Sequence, residues 1–257
     1  MEDHLAPLSN DLLRLAFRGL CLPADGARVA DLCCGMGNAS RLLATEFGAV
    51  CTGVDSSEVL LRAARERALA EDLQQKVEFL SGDARHVDLP SSSFDLVLAM
   101  GGALTYMGRS EGLERIRLLL KPGGALLFSD LVYLDAPAPP EVVERLSEEI
   151  PSDPVKPLSL EPAVRAVFEE GVFSFETEDS YRALLALHGY EPVFAFQVPE
   201  SAWNAYYRRA VLSTREESTP FPTSVRIPVG TDELAAYYCW GGRWGLAYLV
   251  GGARLSG

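Results

Sequence analysis

Three aspartates and one glycine-rich turn are the residues of this chain best suited to chemistry. The apolar run 29–32 contains Asp31 and is followed at once by Gly35 and Gly37, which allow backbone conformations closed to other residues. A helical pattern begins after them, so the stretch predicts a strand, a tight turn and a helix whose first N–H groups are unpaired. We expect a ligand at this turn, and Asp31 suits a cationic ligand better than a phosphate because like charges repel.

The other two aspartates also follow predicted strands. Asp55 ends the strand 50–54, about where a mononucleotide-binding unit places the acid that binds ribose hydroxyls. Asp83 comes directly after the strand 77–80. Ligands of parallel sheets bind outside the carboxyl ends of the strands, so the three acids predict one pocket at that edge.

A dinucleotide is an alternative ligand for the turn. Its fingerprint is G-x-G-x-x-G, but this chain has Ser40 where the third glycine would stand. Asp31 would also face a bound phosphate unfavourably. An NAD-dependent oxidoreductase therefore stays as an alternative that two features disfavour.

The turn resembles the first motif of the class I S-adenosylmethionine-dependent methyltransferases, hydrophobic-hydrophobic-Asp-x-Gly-Cys-Gly-x-Gly. Cys34, Gly35 and Gly37 match in place, whereas Cys33 stands where the family most often has its first glycine. Three later stretches also resemble the family in order. They are Gly82-Asp83-Ala84, the strand 94–101 that opens onto glycines, and Leu118 to Phe128 with its Leu-Lys-Pro-Gly-Gly segment. The resemblance is specific over 28–130 and looser over 176–257.

The resemblance implies a site for S-adenosyl-L-methionine. It assigns the methionine portion to Asp31 and the glycine turn, the ribose hydroxyls to Asp55, the adenine to Asp83 with Ala84, and the cofactor's amino group to the backbone at Met100. The residues assigned to the cofactor are Asp31, Cys33, Cys34, Gly35, Gly37, Asn38, Asp55, Ser56, Asp83, Ala84, Met100 and Gly101.

Alternation of strands and helices predicts an α/β fold, a Rossmann-like doubly wound sheet with helices on both faces. We expect a leading helix within 5–20, capped by Ser9 or Asn10, and helices over 39–47, 57–70, 110–120 and 177–188, with Ser110 capping the fourth of these five. Strands over 190–198 and 244–250 complete seven. The resemblance implies a mostly parallel sheet with an antiparallel last strand.

A single methyltransferase domain is expected over 1–257, with its core in 20–130 and 176–257. After Asp130 prolines become frequent and the strand-helix rhythm stops. We interpret 131–175, and the aromatic-rich 200–243, as an inserted cover over the substrate, because long loops in compact domains are usually functional or disordered.

Methyl transfer needs no protein nucleophile, because the protein has to hold the acceptor in line and exclude water. This fits a chain without H-E-x-x-H, G-x-S-x-G or Walker motifs. A hydroxyl acceptor would need a general base, for which the candidates are His4, Tyr106, Asp130 and Tyr133. His4 opens a stretch that resembles the "His-Pro-Leu-Ser" start of a subset of small-molecule methyltransferases, in which the following helix covers the cofactor.

Charge and composition restrict the partners. A formal net charge of −13 and a pI near 4.7 disfavour nucleic acid and anionic membrane surfaces. The five cysteines lack C-x-x-C spacing, so we interpret them as reduced packing residues and expect no metal site. Neither a secretion signal nor an apolar run long enough to span a membrane is evident, so we expect a cytoplasmic monomer or homodimer.

The sequence therefore predicts an S-adenosylmethionine-dependent methyltransferase that transfers a methyl group to an O, N or C atom of a small molecule by direct displacement. A non-catalytic S-adenosylmethionine-binding module is the second alternative, beside the oxidoreductase. An aminopropyl transferase is disfavoured, since a polyamine would need more acids than 100–107 provides.

Overall fold

A computed structural model describes residues 6–23, 26–133, 176–199, 201–202, 206 and 246–256. The helices are α1 (Asn10–Gly19), α2 (Asn38–Phe47), α3 (Glu58–Ala70), α4 (Ala103–Met107), α5 (Arg109–Leu119) and α6 (Glu178–Leu187). The strands are β1 (Arg28–Leu32), β2 (Val50–Asp55), β3 (Val77–Ser81), β4 (Phe94–Ala99), β5 (Leu120–Tyr133), β6 (Glu176–Thr177), β7 (Tyr190–Gln197) and β8 (Leu246–Leu255).

Seven strands follow the order β3-β2-β1-β4-β5-β8-β7 in one sheet. Neighbouring strands among β1 to β5 are parallel, and β7 pairs with β8 in antiparallel register. This confirms the predicted mostly parallel sheet and its antiparallel last strand. The strand order reverses between β1 and β4, and such a reversal is where open α/β sheets bind ligands, outside the carboxyl ends of the strands.

The central strands form the core of the sheet. Val29, Ala30 and Leu32 of β1 are fully buried, and so is the run 96–99 of β4. Parallel strands with helices on both faces have continuous apolar runs of this kind, in place of alternating polar and apolar residues. Each buried Val or Leu stabilises the fold by about 1.5–3 kcal/mol.

Capping residues explain where the first helices begin and end. Ser9 accepts a hydrogen bond from the Leu12 N–H and begins α1, and Ser57 accepts one from the Leu60 N–H and begins α3. Gly48, with a φ of 65°, ends α2. These ends confirm the predicted bounds to within a residue.

Three predicted boundaries were wrong. The last strand ends at Leu255 and not at 250. Ser110 does not cap α5, because the chain turns at Gly108 (φ 78°) and Ser110 already lies in the first turn of the helix. The segment 121–124 is not a separate turn before the fifth strand, because β5 begins at Leu120. A register shift against β4, between Phe94 and Leu96, accommodates the extra residues as a bulge.

Contacts divide the chain into two compact units. The first comprises Met1–Asp130, Arg182–Ile227 and Tyr248–Gly257, and the second comprises Leu131–Tyr181 and Pro228–Ala247. Within the second unit, β6 pairs in parallel with Val132 and Tyr133. The predicted cover was wrong in its first residues, since Leu131–Tyr133 continue β5. The rest of 131–175 and nearly all of 200–243 lie outside the described residues, and the single domain stays a prediction.

Helices within the described ranges are too short or too polar to cross a bilayer.

A phenylalanine of β3 fills the space beneath the glycine turn. A Cβ atom at Gly37 would lie 2.3 Å from the Phe79 ring, and one at Gly53 would lie 2.7 Å from the same ring. Neither position therefore has room for a side chain. The close approach of Phe79 holds the turn against β2 and β3.

Gly37→Ala should destabilise the protein more than Gly26→Ala. Both glycines have φ in the left-handed region, but a Cβ at Gly26 would meet nothing within 4 Å. Backbone strain of about 1–2 kcal/mol is common to the two, and displacement of Phe79 adds about 1–3 kcal/mol at Gly37 alone. Urea unfolding of both variants measures the difference. Equal midpoints would contradict the packing of Phe79 against the turn.

Candidate cofactor and acceptor site

The chain turns sharply between β1 and α2. Cys33, Gly35 and Gly37 all lie in the left-handed region, with φ values of 59°, 55° and 68°. Cys33 thus adopts the conformation of the glycine that the family most often has there, at a cost of about 1–2 kcal/mol. The Gly37 N–H donates to the Cys34 carbonyl over 2.9 Å, which closes the turn.

The Asp55 carboxylate connects this turn to the end of β2. Its Oδ2 accepts a hydrogen bond from the Gly35 N–H at 2.8 Å, and its Oδ1 accepts one from the Ser57 N–H at 2.9 Å. A carboxylate has about four acceptor positions, so one remains on each oxygen. Two neighbouring hydroxyl groups could donate to them. Ser56, the adjacent predicted residue, is exposed at the same edge.

Asp31 is buried at the end of β1, with 2% of its surface exposed. Its Oδ2 accepts a hydrogen bond from the Ser40 hydroxyl of α2 at 2.7 Å. Burial raises the pKa of Asp31 to about 7, against the opposing effect of Ser40. Asp31 therefore links β1 to α2, and a cationic ligand nearby would favour its ionised form.

Asp83 follows β3 and forms an ion pair with Arg85. The Asp83 Oδ1 accepts from the Arg85 backbone N–H at 2.9 Å, and Oδ2 accepts from Arg85 Nη2 at 2.6 Å. Arg85 lowers the pKa of Asp83 to about 2, so the carboxylate stays ionised. Ala84 between them is buried, and His86 is exposed.

The loop after β4 is held by a serine of β5. Met100 is half-buried, and the Gly101 N–H donates to the Ser129 hydroxyl at 2.8 Å. The Gly102 N–H donates to the Ser129 carbonyl at 2.9 Å. The Ser129 hydroxyl in turn donates to the Tyr248 hydroxyl at 3.5 Å. Ser129 thereby joins the tip of β4 to β5 and β8.

The N-terminal segment contacts two of these loops. The Asn38 side chain donates to Asn10 of α1 at 3.1 Å, and a Cβ at Gly101 would lie 3.4 Å from the Ala6 Cβ. Ala6, before α1, thus lies beside the loop after β4, and Asn10, the first residue of α1, lies beside the glycine turn. His4 lies outside the described residues.

Two of the four candidates for a general base have described side chains. Asp130, 2% exposed, accepts from the Thr105 hydroxyl at 2.5 Å and lies 3.7 Å from Arg109 Nε. Tyr106 is 53% exposed, and its ring lies under the Arg85 guanidinium. Asp130 therefore connects β5 to α4 and α5, whereas Tyr106 lies at the rim. Only the backbone of Tyr133, in β5, is described.

The cysteines near the turn are neutral thiols. Burial raises the pKa of Cys33 to about 12 and raises the pKa of Cys34 and Cys51 well above the usual value. Thiolates are the nucleophiles and metal ligands, so these side chains act in packing. In the described part of the chain, no cluster of three His, Cys, Asp or Glu side chains could bind a metal ion.

Sequence reasoning missed three side chains that position the predicted residues. The side chains of Ser40, Arg85 and Ser129 each bind a backbone or side-chain group of the site. Ser40 lies near the start of a predicted helix, Arg85 lies two residues after Asp83, and Ser129 precedes Asp130. A polar side chain close to a predicted site residue is the signal that could have identified them.

Residues 29–124 match the family model described as "Methyltransferase domain". The match begins at β1 and ends within the Lys-Pro-Gly-Gly segment, so it includes the glycine turn and all three strand-end acids. Over these residues the chain is similar to a methyltransferase domain, and this similarity agrees with the predicted resemblance to the class I S-adenosylmethionine-dependent methyltransferases.

Known proteins are similar to this chain in sequence, and solved structures are similar to it in fold. The chain is 28% identical over 180 residues, 69% of its length, to "27-O-demethylrifamycin SV methyltransferase" of Amycolatopsis mediterranei, and it spans 66% of that relative. A Thiobacillus denitrificans "SAM-dependent methyltransferase" solved with S-adenosyl-L-homocysteine has a TM-score of 0.67 at 20% identity and covers 97% of this chain and 93% of its own. The "[4+2]-Cyclase SpnF" has a TM-score of 0.69 at 20% identity, with 96% and 81% covered.

Asp31→Asn should remove a pH dependence of stability. Because the folded pKa, about 7, exceeds the ordinary value, the contribution of neutral Asp31 is full below about pH 4 and is lost as the pH rises through 7. Asparagine stays neutral and can still accept from Ser40. The variant's stability relative to the unmodified protein should therefore rise between pH 4 and 8, by up to about 4 kcal/mol. A difference that stays constant in urea unfolding across this range would contradict the burial of an ionisable Asp31.

Asp130→Asn should destabilise the protein by about 3–5 kcal/mol, because Arg109, only 10% exposed, would lose its charged partner. Glu58→Gln is the control, since the pair of Glu58 with Arg65 is exposed and its loss should cost less than about 1 kcal/mol. Thermal and urea unfolding measure both. Unchanged stability of Asp130→Asn together with lost methyl transfer would assign Asp130 to the reaction and contradict its connecting role.

Proposed function

We propose that the protein transfers a methyl group from S-adenosyl-L-methionine to a small-molecule acceptor. The observation that supports this most is the Asp55 carboxylate, which two backbone N–H groups hold at the end of β2 with one acceptor position left on each oxygen. Adjacent ribose hydroxyls need that arrangement. The relative of Amycolatopsis mediterranei is named for a methyl transfer to a small molecule, which supports the same reaction.

The described residues fit the cofactor. Glycines with φ in the left-handed region let a ligand approach the backbone after β1 and after β4. Carboxylates end β2 and follow β3, where ribose and adenine groups would donate to them. When bound, S-adenosylmethionine supplies an activated methyl group on a sulfonium centre, so the chain needs no nucleophile of its own.

Each element of the site then has a part in orienting the ligands. Asp55 would hold the ribose, Asp83 and Ala84 the adenine, and the turn with Cys33, Cys34, Gly35, Gly37 and Asn38 the methionine portion. The buried Asp31 would contribute negative charge beneath the turn. The segment at Ala6 lies beside Gly101 and would help to exclude water, which a displacement on a sulfonium carbon requires.

The proposed general bases differ in how easily a methyl acceptor could reach them. Tyr106 is exposed at the rim and is the described candidate that an acceptor could reach, while Asp130 is occupied by Thr105 and Arg109. His4 and Tyr133 complete the proposed set. We propose also that the protein works in the cytoplasm as a monomer or homodimer and without nucleic acid. The net charge of −13 supports the absence of a nucleic-acid partner.

A methyl-transfer assay with a ligand competition tests the function. The protein is incubated with methyl-labelled S-adenosylmethionine and panels of small phenols, alcohols, amines, carboxylates and thiols, and released S-adenosylhomocysteine is measured. Methyl transfer to at least one class is the expected result. Binding of S-adenosylhomocysteine without transfer to any class would favour a non-catalytic module or a different reaction on this fold. Calorimetric binding of NAD in preference to S-adenosylhomocysteine would favour the oxidoreductase.

Asp55→Ala should weaken S-adenosylhomocysteine about tenfold to a hundredfold, because it removes charge-assisted hydrogen bonds to the ribose. It should also lower stability by about 1–3 kcal/mol, since the Gly35 and Ser57 N–H groups lose their acceptor. Asp88→Ala, at an exposed acid, is the control and should change neither quantity. Calorimetry and urea unfolding measure the two effects. Equal affinities of Asp55→Ala and the unmodified protein would show that Asp55 does not hold the ribose.

A further inference from the structure

Arg85 is bound to Asp83 through three separate N–H groups. Its backbone N–H reaches Asp83 Oδ1 at 2.9 Å, its Nε lies 3.0 Å from Oδ1 and 3.1 Å from Oδ2, and its Nη2 lies 2.6 Å from Oδ2. The planar guanidinium is suited to this because its donors have a fixed fork geometry.

The guanidinium is supported from another element. The Arg85 Cζ lies 5.4 Å from the centroid of the Tyr106 ring in α4, within the range of a cation–π interaction. Asp83 and Tyr106 together raise the pKa of Arg85, with Asp83 the larger cause. Side-chain contacts thus connect Tyr106 in α4 to Arg85, and Arg85 to Asp83 in the loop after β3.

We propose, on the basis of the proposed function, that Arg85 is a positioning residue for recognition of the adenine amino group and that Tyr106 acts through it. The three N–H donors of Arg85 make two contacts to each oxygen of Asp83, because the Nε hydrogen lies between Oδ1 and Oδ2. The longer of the two shared contacts, 3.1 Å to Oδ2, is the one that an N–H of the exocyclic amine replaces. Arg85 leaves room for the amine and fixes the direction from which it is bound.

Under this proposal Tyr106 supports the Arg85 guanidinium and does not act as a general base. The ring face of Tyr106 lies against the Arg85 guanidinium, and the Tyr106 hydroxyl also helps to raise the pKa of Arg85. Tyr106→Phe, which keeps the ring, should therefore lose less of the adenine preference than Tyr106→Leu. A lysine at position 85 keeps the charge but has no planar fork, so Arg85→Lys should resemble Arg85→Ala.

Calorimetry with two ligands tests the proposal. S-Adenosylhomocysteine carries the exocyclic amine, and S-inosylhomocysteine carries a carbonyl in its place. The unmodified protein should prefer the first ligand. Arg85→Ala should reduce this preference about two- to fivefold, mainly through weaker binding of S-adenosylhomocysteine. Arg62→Ala, at an exposed arginine of α3, is the charge control and should leave the preference unchanged.

Three results would overturn the proposal. Equal weakening of both ligands would show that Arg85 only supports the loop, and tighter binding of S-adenosylhomocysteine to Arg85→Ala would show that Arg85 competes with adenine for Asp83. An unchanged preference in Arg85→Ala would show that Arg85 has no part in it. Failure of the unmodified protein to bind S-adenosylhomocysteine would be a different result, because it would reject the proposed function itself.

Discussion

The site depends on the bond between the Asp55 carboxylate and the Gly35 N–H, 2.8 Å long. Gly35 belongs to the loop after β1, and Asp55 ends the neighbouring strand, so this one hydrogen bond fixes the glycine turn relative to β2. The second oxygen of Asp55 fixes the start of α3 through Ser57. Phe79 fills the space below, and Ser129 holds the corresponding loop after β4.

The acids at this edge differ in what holds them. N–H donors of the chain set the orientation of Asp55 and Asp83, and Asp55 keeps one acceptor position on each oxygen. Asp31 and Asp130 are buried and bound to Ser40 and Thr105, and they stabilise the arrangement of the elements around them. The four carboxylates thus divide into two that can receive a ligand and two that hold helices to the sheet.

Periodicity and turn chemistry were enough to predict the sheet, most helix bounds and the edge at which the acids meet. Asp31, Asp55 and Asp83 could be placed because each lies at the end of a strand or just after one, and parallel strands end at one edge. The exact surroundings of each acid could not be predicted, since the Ser40 contact of Asp31 and the three donors of Arg85 depend on side-chain packing between elements. The bulge of β5 was missed because Pro122, Gly123 and Gly124 are typical of turns, and it is the pairing of the flanking Leu120 and Ala125 with β4 that includes them in a strand.

Hydrogen exchange on the whole chain, followed by mass spectrometry with and without S-adenosylhomocysteine, tests the central claim most directly. The claim is that the turn held by Asp55, the loop after β3 and the loop after β4 form one cofactor site. S-Adenosylhomocysteine should slow exchange in 33–40, 55–60, 82–86 and 100–103, and it should leave 91–94 and 188–190 at the opposite edge of the sheet unchanged. Unchanged exchange in 33–40, or equal slowing of these segments by NAD, would contradict the account.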